Sequence, residues 1–524
     1  MPDWDRPFRS GLFLPVEIMK KLAPVLARFV FSLIGVGFFP GLSARAQVPA
    51  EFTNLYQVME ADLTNFEATL DAGWNGTKTN CQFASVLLPA TDGGEGAAAT
   101  NPNYLKNAVL PFLAGLTNLG IRTVKFSIDF PTLYQPYYNS SSGLNNPAGY
   151  TNMLDFFTNL VGVLRQQGLK IIIPTQNVFP IEQPAISNYY SSLTFAQYTN
   201  GRSEMIQLIA GVLKPDYLMM QSEPITEVDN LAGGNPALAN DLNDPVTDTN
   251  MLMGFLNDLQ KAGLRNTNVL IGAGMGTWQP DFDTYVTNFV NLPIDILDVH
   301  VYPINTTTNS DVVQDFLGRI LTMADAAHSH GMKVGMGECW LQKEYNDELA
   351  NPPSQLVFQG RNTYSFWSPL DEEFLLCMVK VGYYKQFEFI DPFWTDYYFA
   401  YLDYTNEQTA ISGLSPNTAA GVLNSNENAA VYMALGVGAV TNTGLAFQEY
   451  SQANPPLLRL TQPNQGILDL TWTPVADHYV VEQSYNLRAP IWTSLTVPSR
   501  TLGADYSATV ETTNNVEYFR LRLP

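Results

Sequence analysis

Residues 216–224 read DYLMMQSEP. Tyr217 to Met220 form an unbroken apolar run, the pattern of a strand covered on both faces. Three residues further on stands Glu223, followed at once by Pro224. Its meaning depends on whether a second carboxylate stands in an equivalent place. Glu338, in the stretch KVGMGE (333–338), does so.

The same texture recurs along the chain. Candidate strands are FASVLLP (83–89), TVKFSID (123–129), KIIIPTQ (170–176), YLMMQSE (217–223), NVLIGAG (268–274), ILDVHVY (296–302), KVGMGE (333–338) and QFEFID (386–391). Most are continuous rather than alternating, as parallel strands beneath helices should be. Helical stretches such as YTNMLDFFTNLVGVLRQQG and VVQDFLGRILTMADAAHSHG lie between them, several ending on a glycine that caps the helix. Eight strand–helix units predict an α/β fold, the (β/α)8 TIM barrel. A doubly wound open sheet is the alternative. It ranks lower because DGGEG (92–96) lacks the G-x-G-x-x-G spacing of a phosphate loop.

Both ends differ from this middle. From Met19 the chain runs through basic residues and the apolar stretch 29–39 to Ala44-Arg45-Ala46. That pattern is a secretory signal with a cleavage site after Ala46, and its apolar run is short for a membrane span. Residues 1–18 read as an upstream extension. Near 455 a proline pair opens a region of alternating runs, ILDLTW, HYVVEQS and VEYFRLRL, which predicts a small C-terminal antiparallel β-sandwich. The expected domains are therefore 1–46 as extension and signal peptide, 47–450 as the barrel and 455–524 as the sandwich. The expected location is outside the cytoplasm, extracellular or periplasmic.

Composition narrows the partners. The formal net charge of −22 repels nucleic acid and anionic membrane surfaces, so neither is expected as a partner, and no membrane insertion is expected. Aromatic residues make up 12% of the chain, a supply of flat faces that serves either a core or the stacking of sugar rings. Cys81, Cys339 and Cys377 lack a CxxC spacing and form no paired framework. The four histidines are scattered except for His328 and His330, at a helix end, so no metal site and no cofactor is expected. A monomer is expected.

In a (β/α)8 barrel the active site lies at the carboxyl ends of the strands. Glu223 and Glu338 follow the fourth and seventh candidate strands, across the barrel mouth from each other. Two facing carboxylates there suit retaining glycoside hydrolysis, in which one protonates the leaving oxygen and the other attacks the anomeric carbon. The bland reading, a surface glutamate or an ion-pair partner, suits either residue alone better than both together.

On these residues the chain resembles clan A of the glycoside hydrolases, and in pattern family 5, across roughly 80–440. QSEP (221–224) stands where the clan has its acid/base motif, MGECW (336–340) where it has its nucleophile, and DVHVYP where the family has His-x-Tyr. The resemblance implies Glu223 as acid/base and Glu338 as nucleophile, with Tyr302 bonded to Glu338 and His300 at the substrate. It also implies Trp394, in DPFWTDYY, as a cleft tryptophan. The implied substrate is a β-linked polysaccharide or oligosaccharide, cut more in endo than in exo fashion. The C-terminal region is similar to fibronectin-type-III-like modules, with Trp472 and Tyr479 at core positions.

Two departures stand out. Ser222 occupies the place of the clan's asparagine, which bonds the sugar 2-hydroxyl; Gln221, Asn177 or another group would have to replace it. No arginine follows the second strand, where Lys125 or Asp129 stands instead. Trp278 and Trp340, after strands five and seven, join Trp394 as candidate sugar platforms, although buried tryptophans are more often core. Trp367 is a candidate wall of the cleft. A sugar-binding barrel that has lost catalysis is the main alternative, with Ser222 as its sign. A metal-dependent barrel hydrolase would want paired histidines after an early strand, and none are present.

Overall fold

The computed structural model describes residues 47–451 apart from 92–93, 100, 102, 180–184, 266, 305–307, 310–311, 314 and 349–354. Beyond 458 it describes the strand segments named below and Leu495. The expected signal segment lies outside the described residues.

Eight parallel strands close into a barrel in sequence order. They are β1 Gln82–Val86, β2 Thr123–Lys125, β3 Lys170–Pro174, β4 Tyr217–Met219, β5 Leu270–Gly276, β6 Ile296–Val301, β7 Lys333–Cys339 and β8 Phe389–Pro392. Closure is direct, Gln82 pairing with Phe389 and Phe83 with Ile390. The fold is a (β/α)8 TIM barrel, and each candidate strand falls on a real one. Helix α1 (Thr53–Gly73) precedes the barrel. At least one helix follows each strand, among them α2 Leu110–Asn118, α3 Pro147–Gln166, α4 Phe195–Leu208, α6 Pro245–Lys261, α7 Phe282–Val290, α8 Phe316–Ser329, α9 Ser368–Tyr384 and α10 Asn442–Ser451. The extra helix α5 (Pro224–Ala232) starts directly after Glu223. Gly120, Gly168, Gly263 and Gly331, near the ends of four of these helices, all have positive φ, the left-handed conformation that stops a helix without strain.

The barrel is filled in layers. Ala84, Ile172, Tyr217, Met219, Ile296 and Phe389 form an apolar floor, while residues of opposite parity pack outward under the helices. Small residues make the floor fit: a Cβ on Gly335 would lie 2.4 Å from the Phe389 ring, and one on Gly272 2.4 Å from the Met219 sulfur. Alternation then places Lys125, Asp298, His300 and Asp391 above the floor on the inner face. Ions so deep persist only when paired or neutral.

Strand β7 breaks the alternation. Val299 pairs with Met336 but His300 pairs with Glu338, and on the other side Ile390 pairs with Met336 but Pro392 with Cys339. Both neighbours therefore see one extra residue, a β-bulge at Gly337. Gly337 faces inward, its ideal Cβ only 2.3 Å from Asp298 Oδ1. The bulge turns Glu338 inward as well; unbroken alternation would have sent it out with Met336.

Helix α1 packs on α9, where the buried Lys380 ammonium bridges Glu67 and Asp71 at 2.8 Å each. Beyond the barrel, two antiparallel sheets follow. One has the order β9-β10-β14-β13 (Arg459–Asn464, Ile467–Trp472, Asp505–Glu511, Arg500–Leu502). The other has the order β12-β11-β15 (Thr493–Ser494, Val480–Ser484, Tyr518–Arg522). Tyr479 and the Trp472 side chain lie outside the described residues. No single helix among the described residues is long and apolar enough to cross a membrane.

Candidate active site

Glu223 stands just past β4, at the N-cap position of α5, and Pro224 supplies the first helical residue. Proline suits that position because its missing N–H would have no partner there. The Glu223 side chain is held from both sides: Oε2 accepts from the Thr226 hydroxyl at 2.6 Å, and Oε1 lies 2.7 Å from His300 Nδ1. Glu338, on β7, accepts from Lys125 Nζ on Oε1 and from the Tyr302 hydroxyl on Oε2. Its Oε2 is also 3.5 Å from His300 Nδ1. One oxygen of each glutamate and a His300 ring nitrogen all lie within 4.8 Å of one another. Glu223 and Glu338 keep 6% and 7% of their surface, against 1% for His300, Asp298 and Lys125. Only the two glutamates of this group reach the cleft.

The charges beneath them balance. Burial works against the Lys125 ammonium, but Glu338, through its charge and its hydrogen bond, and Asp298 outweigh it and raise its pKa. Burial would lift the Glu338 carboxyl, yet Lys125 and His300, with the hydrogen bonds of Lys125 and Tyr302, hold it below the usual range. Asp298 behaves alike: burial is overcome by His300, Lys125 and the Ser222 hydroxyl, which donates to Oδ2 at 2.7 Å. Burial disfavours the imidazolium of His300, but Glu338, Asp298 and the bonds to Asp298 and Glu223 push it up to about 10. Burial drives Asp391 well above the carboxylate range, and neither of its oxygens has a hydrogen-bond partner among the described residues. Two cations thus face two fixed anions over a neutral acid. The closely spaced donors also meet the distance condition for a cation, but the positive charge here is that of Lys125 and His300.

The remaining sequence candidates divide. Tyr302 lies against Trp278, ring centroids 5.5 Å apart at 82°, and both are partly exposed. Trp394 is partly exposed beside Phe393, centroids 4.7 Å apart. These two tryptophans remain available to a sugar. Trp340 does not: it is fully buried against Val86, Phe393 and Tyr397, with the Lys343 ammonium 5.0 Å from its ring. Trp367 is also fully buried, against Phe52 and Tyr56, and forms no cleft wall.

Gln221 and Asn177 turn away from the carboxylate pair. The Gln221 amide donates to Glu227 Oε2 at 3.2 Å and Asp248 Oδ1 at 2.9 Å. Asn177 donates to the Glu227 carbonyl at 2.9 Å and accepts from Asn230 at 2.8 Å. Both serve a buried network centred on the Arg202–Glu227 ion pair, 2.5 Å. The Arg202 guanidinium also donates to the carbonyls of Thr175 and Met220, tying the ends of β3 and β4 together. Asp129 accepts the Gln176 backbone N–H at 3.0 Å and braces that loop. Ser222 is bonded to Asp298, and both His300 ring nitrogens face carboxylates, so neither is free to bind a sugar hydroxyl.

Sequence reading missed Asp298, Asp391 and Thr226. Parity could have found the first two: Asp298 lies two before His300 on one strand, and Asp391 two after Phe389. The three cysteines are free and buried.

No protein-family model and no curated protein sequence matches the chain. Solved structures similar to it include a glycoside hydrolase family 30 subfamily 8 xylanase from Clostridium acetobutylicum. The identity is 10% and the TM-score 0.33, over 82% of this chain and 93% of that one. An exo-β-1,4-mannosidase from Opitutaceae bacterium strain TAV5 shows 12% identity and a TM-score of 0.39, over 67% and 60%. A family 1 β-glucosidase from Thermotoga maritima shows 11% and 0.37, over 61% and 87%. The roles of individual residues rest on the geometry described above.

Proposed function

We propose that the protein is a secreted retaining glycoside hydrolase acting on β-linked polysaccharide or oligosaccharide, in endo fashion. The observation that carries this reading is that an oxygen of Glu223 and an oxygen of Glu338 lie within 4.8 Å of each other at the barrel mouth. Double displacement requires a separation near 5–5.5 Å, whereas inversion leaves room for a water at about 6.5–9.5 Å. Glu338, held ionised by Lys125 and Tyr302, attacks the anomeric carbon. Glu223 protonates the departing oxygen, then takes a proton from the water that releases the glycosyl group. Trp278 and Trp394 offer ring faces to the sugars. No cofactor enters these steps.

The test uses protein beginning at Gln47, incubated with β-glycans and activated aryl β-glycosides beside Glu338→Ala and Glu223→Ala. The expected outcome is hydrolysis by the parent, none by Glu338→Ala, and azide rescue of Glu223→Ala on the activated substrate. Hydrolysis of no glycan, with retention on a glycan affinity gel, would replace this reading by the non-catalytic binding barrel. That alternative draws on Ser222, whose hydroxyl is turned from the sugar to Asp298. Export would show as a mature amino terminus at Gln47.

A further inference from the structure

His300 is gripped at both ring nitrogens. Nε2 lies 3.1 Å from Asp298 Oδ2, and Nδ1 lies 2.7 Å from Glu223 Oε1 and 3.5 Å from Glu338 Oε2. Taking the glycosidase reading as its basis, we propose that Asp298 is a positioning residue for the acid/base. It fixes the imidazole so that His300 and Glu223 share the catalytic proton.

Three observations carry this. The barrel makes room for Asp298: an ideal Cβ on Gly337 would lie 2.3 Å from Asp298 Oδ1, and one on Gly274 1.8 Å from the Asp298 carbonyl oxygen. A side chain on either neighbouring strand would displace it. Ser222, one residue before the acid/base, donates to the same Oδ2 that faces His300. The short side chain in the place of an asparagine thus orients Asp298 and gives the departure a purpose. Finally, with Asp298 on Nε2, the ring has one direction left for Nδ1, toward Glu223.

The groups facing the imidazole are Glu223 at the start of α5, Glu338 on β7, Asp298 on its own strand and Asp391 on β8, while Lys125 on β2 binds the other oxygen of Glu338. The proton balance is simple. In the first step the proton held between Glu223 Oε1 and His300 Nδ1 passes to the leaving oxygen as the bond from that oxygen to the anomeric carbon breaks and Glu338 bonds to the carbon. In the second step water bonds to the carbon, Glu338 leaves, and the water's proton returns to the Glu223–His300 pair. The Nε2–H stays on Asp298 throughout, so the negative charge of Asp298 sets how tightly the pair keeps its proton.

Two readouts test this. The first is the titration of ring nitrogens in protein labelled with ¹⁵N-histidine, the His300 signals being assigned by their loss in His300→Gln. In the wild type both nitrogens of His300 should carry protons at about pH 8, and Asp298→Asn should lower the midpoint by about one pH unit or more. A neutral ring in the wild type, or an unmoved midpoint, overturns the proposal. This readout needs no substrate, so it stands or falls separately from the glycosidase reading; the wild-type measurement also survives a variant that fails to fold. The second is the pH profile of kcat/KM on a glycan the wild type cleaves. Asp298→Asn should move the basic limb to lower pH, whereas an equal loss at every pH would mean a merely structural role and overturn the proposal.

Discussion

Lys125 is the residue on which the ionised state of Glu338 depends. Its ammonium, almost wholly buried, reaches both Glu338 and the Gly337 carbonyl, the latter at 2.8 Å. Removing one partner of a buried pair leaves the other charge stranded, a loss of about 3–5 kcal/mol. Lys125→Met should therefore lower the thermal midpoint. It should also cost about 10²-fold or more in kcat, a loss of the size seen when one preorganised electrostatic partner is removed. The sign of its pH effect follows from Glu338, whose pKa is held down in the folded protein. Without Lys125 that pKa rises, so the acid limb of the rate profile should move to higher pH. An acid limb that stays in place would show that Lys125 does not set the ionisation of Glu338. Lys125 was legible in the sequence only as one of two substitutes for an absent arginine; its reach of 212 positions to Gly337 is a product of barrel closure.

Strand β7 shows how much one backbone irregularity decides. Period-two alternation from the floor residue Gly335 points Gly337 inward and Met336 and Glu338 outward. The extra residue at Gly337 reverses this for Glu338 alone, and no side-chain pattern in KVGMGE announces it. The glycine serves two ends, the bulge and the space for Asp298 Oδ1. Gly337→Ala should therefore either push Asp298 aside or flatten the bulge. Overpacking of this kind costs about 1–3 kcal/mol, so a modest fall in thermal midpoint should accompany a far larger fall in kcat. An alanine variant with unchanged kcat would show that the bulge tolerates a Cβ. The β4–α5 junction presents the opposite case. YLMMQSEP announced a buried strand with a carboxylate past its end, and Glu223 stands there, at the start of a helix that the reading did not foresee. Gln221 turned away because β4 ends at Met219, one residue before the apolar run does, and Arg202 holds the following backbone through the Met220 carbonyl.

For the whole molecule, the buried acids set the response to pH. Burial raises Asp248 from 3.8 to about 8 and Glu344 from 4.5 to about 7, and both then carry protons that the unfolded chain releases near its ordinary values. Across that window the folded state binds more protons than the unfolded one, so stability falls as pH rises. His300, raised from 6.5 to about 10, acts in the same direction: its contribution is complete below 6.5 and is lost as pH climbs through its folded value. Asp298 and Glu338, both lowered, contribute in full above their ordinary range and lose that contribution only in acid. The thermal midpoint should therefore be highest near pH 5 and decline steadily toward about pH 9, which a fluorescence melt across that range would measure. A maximum at or above neutrality would show that these acids are not held protonated in the folded chain.

The sequence by itself determined the barrel. Unbroken apolar strands, amphipathic helices and capping glycines are local properties, and eight of them in order leave few ways to bury both faces of a parallel sheet. It also placed Glu223, Glu338, His300 and Tyr302 at one end, because strand ends share a rim. Only the tertiary structure decided which of the remaining candidates meet there. Trp340 and Trp367 entered the core, Gln221 and Asn177 joined the Arg202 network, and Lys125, Asp298 and Asp391 became the charged layer under the carboxylates. Those outcomes depend on a bulge, on where a strand stops and on contacts between residues far apart in the chain. Such contacts are set by packing and by the need to pair each buried charge, which no local pattern records.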